Sequence, residues 1–226
     1  MGAELDAPIV SSEARDAPFT NERGVGGSIR FLKNIIGLWL VQQCRQALAR
    51  EGRDYTYAEL TEAAAGAEPF RTLLDPDHPP FMLPGAMLEK IATYARRSDQ
   101  PVPETPGQFV RCCLETLALI YRRTFEKLEQ VTQQRYEILH IVGGGGKNEL
   151  LCQMTSDAIG RKVVVGPEEA TAAGNVLTQA LGAGDVKDVW HIREIVAASF
   201  QLTHYHPGDG EAWNSAYERF LKLRGE

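Results

Sequence analysis

His140-Ile141-Val142-Gly143-Gly144-Gly145-Gly146-Lys147-Asn148-Glu149 joins a β-prone segment to a helix-prone one through four consecutive glycines. Glycine admits positive φ and lets a second molecule come close, because no Cβ stands in the way. A helix starting just beyond supplies free N–H groups and the positive end of a dipole. Together these features make a phosphate seat. The run is neither a GxxxxGK[ST] loop nor a GxGxxG fingerprint, since Lys147 is followed by Asn148. On the glycines alone, a nucleotide seat and a plain strand-to-helix turn stand side by side.

Outward from this run, the last third of the chain reads strand, helix, strand, helix. Ile138 to Val142 is expected as a buried strand, Asn148 to Ile159 as a helix, Lys162 to Val165 as a strand and Glu168 to Leu181 as a helix. That alternation predicts an α/β layer. Gly174 falls mid-helix, where glycine costs about 1 kcal/mol against alanine, so it is expected to permit close packing. Glu168 and Glu169 are expected in the acidic first turn of the same helix. After Leu181 no helix or strand is assigned.

Upstream, residues 1–27 read as irregular, with a short strand at Leu5 to Val10 and breakers at Pro8, Pro18 and Gly24-Val25-Gly26-Gly27. Ile29 to Leu32 is a strand candidate. Asn34 then serves as the expected N-cap of a helix ending near Gly52. Thr56-Tyr57-Ala58-Glu59 is a capping-box pattern opening a helix to about Ala65. Asp75 to Pro80 is too rich in proline for regular structure, and a helix follows from about Ala86 to Arg97. Thr105-Pro106-Gly107-Gln108 combines a capping box with proline at the first helical position. The long helix behind it reaches about Val131, with Phe109, Cys113, Leu117, Ile120 and Leu128 on one face.

The chain has 226 residues, 43% hydrophobic and 24% charged, enough for one sizeable core. A formal charge of −6 argues against a nucleic-acid or anionic-membrane surface, and no apolar run approaches the ~20 residues of a membrane span. Met1 to Asp16 lacks the order of a signal peptide. Cys44, Cys112, Cys113 and Cys152 form no CxxC pair, and adjacent Cys112 and Cys113 read as small core hydrophobes. The expectation is a reduced, cytoplasmic protein.

With the glycine run placed between strand and helix, Ile141 to Asn148 followed by Leu150-Leu151-Cys152-Gln153 resembles the phosphate-loop region of FGGY-type carbohydrate kinases. Gly166-Pro167-Glu168-Glu169-Ala170-Thr171-Ala172-Ala173-Gly174-Asn175 resembles their closing helix motif. The segments Phe19 to Leu40 and Asp75 to Met87 narrow the resemblance to rhamnulokinases, in order along nearly the whole chain. The resemblance implies an actin-like ATPase (ribonuclease H-like) α/β fold, residues 1–226 forming the second, nucleotide-binding domain of such a kinase. The implied reaction moves the γ-phosphoryl of MgATP to the 1-hydroxyl of L-rhamnulose or a related ketose. On this resemblance the chain starts a few residues inside the domain, its initial hairpin truncated, and the sugar-binding first domain with the aspartate general base has no counterpart. Activity then calls for a complementary N-terminal domain, and the alternative is a remnant acting as a weak nucleotide-binding or interaction module. An edge left unpaired in this way predicts self-association.

Carried over residue by residue, the resemblance makes Gly144 the middle glycine of the nucleotide loop, with Gly145 beside it. Asn148 either caps the following helix or meets the nucleotide, and Lys147 is a phosphate partner or a solvated lysine. Gln42 matches a glutamine that contacts ATP; read alone it is a polar residue beside an apolar face, and Gln43 is an equal candidate. Asn34 matches an asparagine that contacts the sugar, eight residues or about 12 Å of helix before Gln42. Thr171 and Gly174 are expected to support packing on the nucleotide side. His140 reads as a core or supporting histidine rather than a base. His204 and His206 are weak evidence for a metal. No residue is nominated as catalytic.

Overall fold

Local signals set most of the helix starts. Thr56 Oγ1 accepts from Glu59 N at 3.2 Å while Glu59 Oε2 accepts from Thr56 N at 2.7 Å, a complete capping box. Thr105 Oγ1 likewise accepts from Gln108 N at 3.2 Å, and Gln108 Oε1 accepts from Thr105 N at 3.3 Å. Both boxes stand where the sequence places them.

The computed structural model describes residues 1–226. In chain order the elements are β1 (Gly2–Leu5), α1 (Ser12–Asp16), β2 (Thr20–Arg23), β3 (Ile29–Leu32), α2 (Trp39–Arg50), α3 (Tyr57–Ala65), α4 (Met87–Arg97) and α5 (Pro106–Thr132). They continue with β4 (Ile138–Ile141), α6 (Glu149–Ile159), β5 (Lys162–Val165), α7 (Ala170–Ala183), α8 (Val189–Ser199), β6 (Thr203–Tyr205) and α9 (Glu211–Leu223). Single 3₁₀ turns occupy Val25–Gly27, Pro79–Met82 and Gly143–Lys147. Two compact units result. The first comprises Met1–Ile35, Arg123–Lys147 and Arg161–His206; the second comprises Ile36–Arg122, Asn148–Gly160 and Pro207–Glu226.

The first unit contains two three-stranded sheets, ordered β1-β3-β2 and β4-β5-β6. The first sheet is antiparallel throughout, with Phe31 opposite Ala3 and Asn21. Phe31 stacks on Phe19 with ring centroids 4.8 Å apart, in a core shared with Leu5, Ala14 and Leu128. In the second sheet β4 and β5 are parallel, Ile141 opposite Val165, and β6 adds antiparallel to β5. This realises the expected α/β alternation. Residues 1–27 are more regular than expected: β1 and β2 flank β3, and Ser11 caps α1 by accepting from Ala14 N. The strand expected at Leu5 to Val10 lies earlier, at Gly2–Leu5, because Pro8 has no N–H to give a ladder.

One further expectation is corrected by topology. β4 is not buried: Ile138 is 43% exposed and the following Val142 55% exposed. Its reason is position at the sheet edge, where only one side is paired.

The second unit packs α2 against α4, with Leu40, Leu48, Leu60, Ile91, Leu114 and Leu117 almost fully excluded from solvent. Burying a leucine-sized side chain contributes about 1.5–3 kcal/mol, so these positions dominate its stability. The Asp75–Pro80 loop ends in the short 3₁₀ turn that proline opens. Arg224, after α9, reaches back to Asp75 and to Asp77, the latter at 2.9 Å. All four cysteines are buried free thiols, Cys44 and Cys113 with their sulfurs 3.9 Å apart.

Candidate functional site

The loops leaving β4 and β5 emerge together, as they must from neighbouring parallel strands. Gly166 N donates to Ile141 O at 2.9 Å and Gly143 N donates to Pro167 O at 3.2 Å. Gly143 takes φ +76°, a left-handed turn that glycine enters without a Cβ penalty. The four glycines are not equivalent. A Cβ on Gly146 would run into Val165 Cγ1, whereas one on Gly144 or Gly145 would meet nothing within 4 Å. Gly144 and Gly145 are therefore the pair of the four with open space beside the backbone, and they follow the carboxyl end of a parallel strand, the end at which α/β sheets bind ligands.

Lys147 closes this loop and forms an ion pair with Glu168 in the neighbouring loop. Glu168 is thus not in the first turn of a helix, which starts at Ala170 with Glu169 as its N-cap. No local sequence pattern pairs them; the parallel register of β4 and β5 brings their loops together. Gly174 does not serve close packing, since a Cβ there would face open space; Thr171 is exposed and α7 buries no residue.

Asn34 lies in the first unit, exposed and outside any helix. It is not the N-cap of α2, which starts at Trp39 after Gly37 turns left-handed at φ +61°. The 12 Å helical spacing from Asn34 to Gln42 therefore does not exist; the two residues belong to different units. Gln42 and Gln43 are separated clearly by their surroundings. Gln43 is 3% exposed, its Oε1 accepts from Gly85 N at 3.0 Å and its Nε2 donates to Gln46 at 3.2 Å. Gln42 is exposed, so it is the one able to meet a ligand. Asn148 caps α6, Oδ1 accepting from Leu151 N at 2.9 Å, while Nδ2 donates to Thr61 Oγ1 at 3.2 Å.

His140 is exposed on β4, so it is no core histidine; partial desolvation, with repulsion from His204 and Lys162, holds its imidazole below the usual histidine range. A lowered pKa favours the neutral imidazole at neutral pH. No group of three or more His, Cys, Asp or Glu side chains is arranged to hold a metal ion. No helix is long and apolar enough to cross a membrane.

The alternating topology and the open loop at the strand ends define an α/β domain of the actin-like ATPase class. Solved sugar kinases share it: xylulose kinase from Rhodospirillum rubrum superposes with a TM-score of 0.66 at 18% identity over 98% of this chain and 44% of that one. Gluconate kinase from Lactobacillus acidophilus gives 0.68 at 13% identity over the same shares. Residues 1–183 match the C-terminal domain of the FGGY family of carbohydrate kinases, and the chain belongs to that family. Among curated relatives, the rhamnulokinase of Bacteroides thetaiotaomicron is 47% identical over 97% of this chain and 44% of its own length. That of Bacillus subtilis is 39% identical over 92% of this chain and 42% of its own. The chain thus spans a little under half the length of the curated relatives it matches.

Proposed function

We propose that this chain is the nucleotide-binding half of a sugar kinase that phosphorylates the 1-hydroxyl of L-rhamnulose or a related ketose with ATP. Both compact units together make up that half, residues 1–226. The observation that carries the reading is the open backbone of Gly144 and Gly145 at the ends of β4 and β5, in a chain of the FGGY family. Backbone N–H groups without a Cβ screen suit phosphate oxygens. Gly144 and Gly145 hold the nucleotide, Asn148 fixes the helix after the loop, and the amide of Asn34 suits vicinal hydroxyls of the sugar. A divalent cation bound with the nucleotide neutralises phosphate charge when present. The general base comes from the complementary N-terminal half, so activity requires both.

Mixing the chain with the N-terminal half of a rhamnulokinase, then following ADP release with ATP and L-rhamnulose, tests this directly. The expected result is a rate above either half alone. Demonstrated association of the halves with no such rate sinks the proposal.

A second reading, an interaction module, is favoured by one observation. α7 and α8 bury no residue, and Val176 and Trp190 are 65% and 70% exposed. Apolar surface of this kind favours association. Light scattering should then show mass growing with concentration; a constant monomer mass counts against it.

A further inference from the structure

The rim of the glycine loop carries one ion pair, Lys147 with Glu168, across the two loops that follow β4 and β5. Both side chains are well exposed, 69% for Lys147 and 51% for Glu168. An exposed pair is screened by water and salt and holds little together. The two loops are in any case already joined by the Gly166 N to Ile141 O and Gly143 N to Pro167 O hydrogen bonds. As a tie, the pair is redundant.

As a charge arrangement it is not. Lys147 ends the turn that carries Gly144 and Gly145, two and three residues along the chain, so its flexible side chain starts within reach of a ligand seated on them. Glu168 is the carboxylate that neutralises it. An ammonium is a compact point charge on a flexible stem with three donors, and it can change partner by rotation of that stem. A polyphosphate brings more negative charge and more acceptor oxygens than one carboxylate, and so competes well for it.

We propose that Lys147 is the phosphate-reading cation of this loop and Glu168 its resting counter-ion, exchanged for the phosphates of a nucleoside di- or triphosphate on binding. This rests on the nucleotide reading above and adds the residue that sets the strength of the phosphate contact. Glu168 keeps the empty seat close to neutral. A ligand without phosphate gains nothing from Lys147 and does not displace Glu168.

Calorimetry on the full chain with adenosine and with metal-free ADP tests the exchange. Glu168→Gln should tighten ADP about twofold to fivefold and leave adenosine unchanged. Lys147→Gln should weaken ADP alone. Adding Glu168→Gln to Lys147→Gln should give a smaller gain than the same change in the wild type, because the two residues act through one another. Raising salt should shrink the gain in Glu168→Gln. Equal gains in both backgrounds would reduce Glu168 to a general repulsive charge and overturn the exchange. Weaker ADP binding in Glu168→Gln would make the pair a structural tie and overturn it too. If the wild type binds neither adenosine nor ADP, the nucleotide reading falls and the exchange with it; if it binds both and the variants fail, only the exchange falls.

Discussion

Asn148 Nδ2 donates to Thr61 Oγ1 at 3.2 Å, across 87 residues of sequence, while its Oδ1 caps α6. One amide thus anchors the helix behind the glycine loop both to itself and to α3. Asn148→Ala loses the cap, worth about 1 kcal/mol, and the Thr61 bond as well. Asn148→Asp keeps the acceptor for Leu151 N, and its charge suits a helix N-terminus. The aspartate variant should therefore lose less thermal stability than the alanine variant, whose midpoint should fall by about 2–4 °C per kcal/mol lost. Equal losses would mean that the cap is not the larger part.

The glycine loop makes a sharper distinction. Gly144 has open space around its missing Cβ, so Gly144→Ala should leave the melting temperature nearly unchanged while weakening ADP, and Gly144→Val should abolish ADP binding in calorimetry. Gly146→Ala presses on Val165 Cγ1 and should cost about 1–3 kcal/mol of stability. A stability loss in Gly144→Ala as large as in Gly146→Ala would contradict the observed openness.

These glycines also mark where sequence reasoning stops. Four identical residues in a row carry no local signal for which two are open; Val165, on a strand contacted only in the fold, decides it. The capping boxes at Thr56 and Thr105 were legible because donor and acceptor lie three residues apart. The parallel pair β4 and β5 was legible from its alternation with helices. Asn34 misled because a good cap residue before an apolar run is a local signal, and Gly37 at φ +61° overrides it. The exposure of Ile138 and the pairing of Lys147 with Glu168 depend on sheet order, which periodicity does not report. The helix containing Trp213 and Phe220, both buried, was missed although its apolar residues recur at helical spacing.

Arg224 binds Asp75 and Asp77 while lying over the Phe220 ring, its own side chain 12% exposed. Removing it leaves the Asp75 carboxylate, 24% exposed, without its cation. Arg224→Ala should therefore lower the urea midpoint clearly, by a free energy of about 1–3 kcal/mol. Asp75→Asn should cost more than Asp77→Asn, since Asp77 is 59% exposed and solvent screens its share. Reversal of that order would show that burial does not rank these two contacts.

Glu115 offers the clearest pH test. It is 1% exposed on α5, accepts from Arg111 at 2.7 Å and from Phe70 N at 2.9 Å, and Arg219 adds a more distant attraction. Burial outweighs these favourable contacts and raises its pKa from 4.5 to about 7. In the unfolded chain the group ionises near its ordinary value, so between pH 4.5 and 7 the unfolded state holds fewer protons than the folded one. Stability must then fall as pH rises through that window. The contribution is complete below about pH 4.5 and is lost as pH passes 7, amounting to roughly 3 kcal/mol at most. Glu115→Gln keeps one acceptor oxygen, for either Arg111 or Phe70 N, turns its amide nitrogen toward the other donor, and cannot ionise; the lost bond is a pH-independent cost. The variant's melting temperature relative to the wild type should therefore rise steadily from pH 5 to pH 7.5. A constant difference across that range would show that Glu115 titrates alike in both states, with Arg111 fully offsetting the burial.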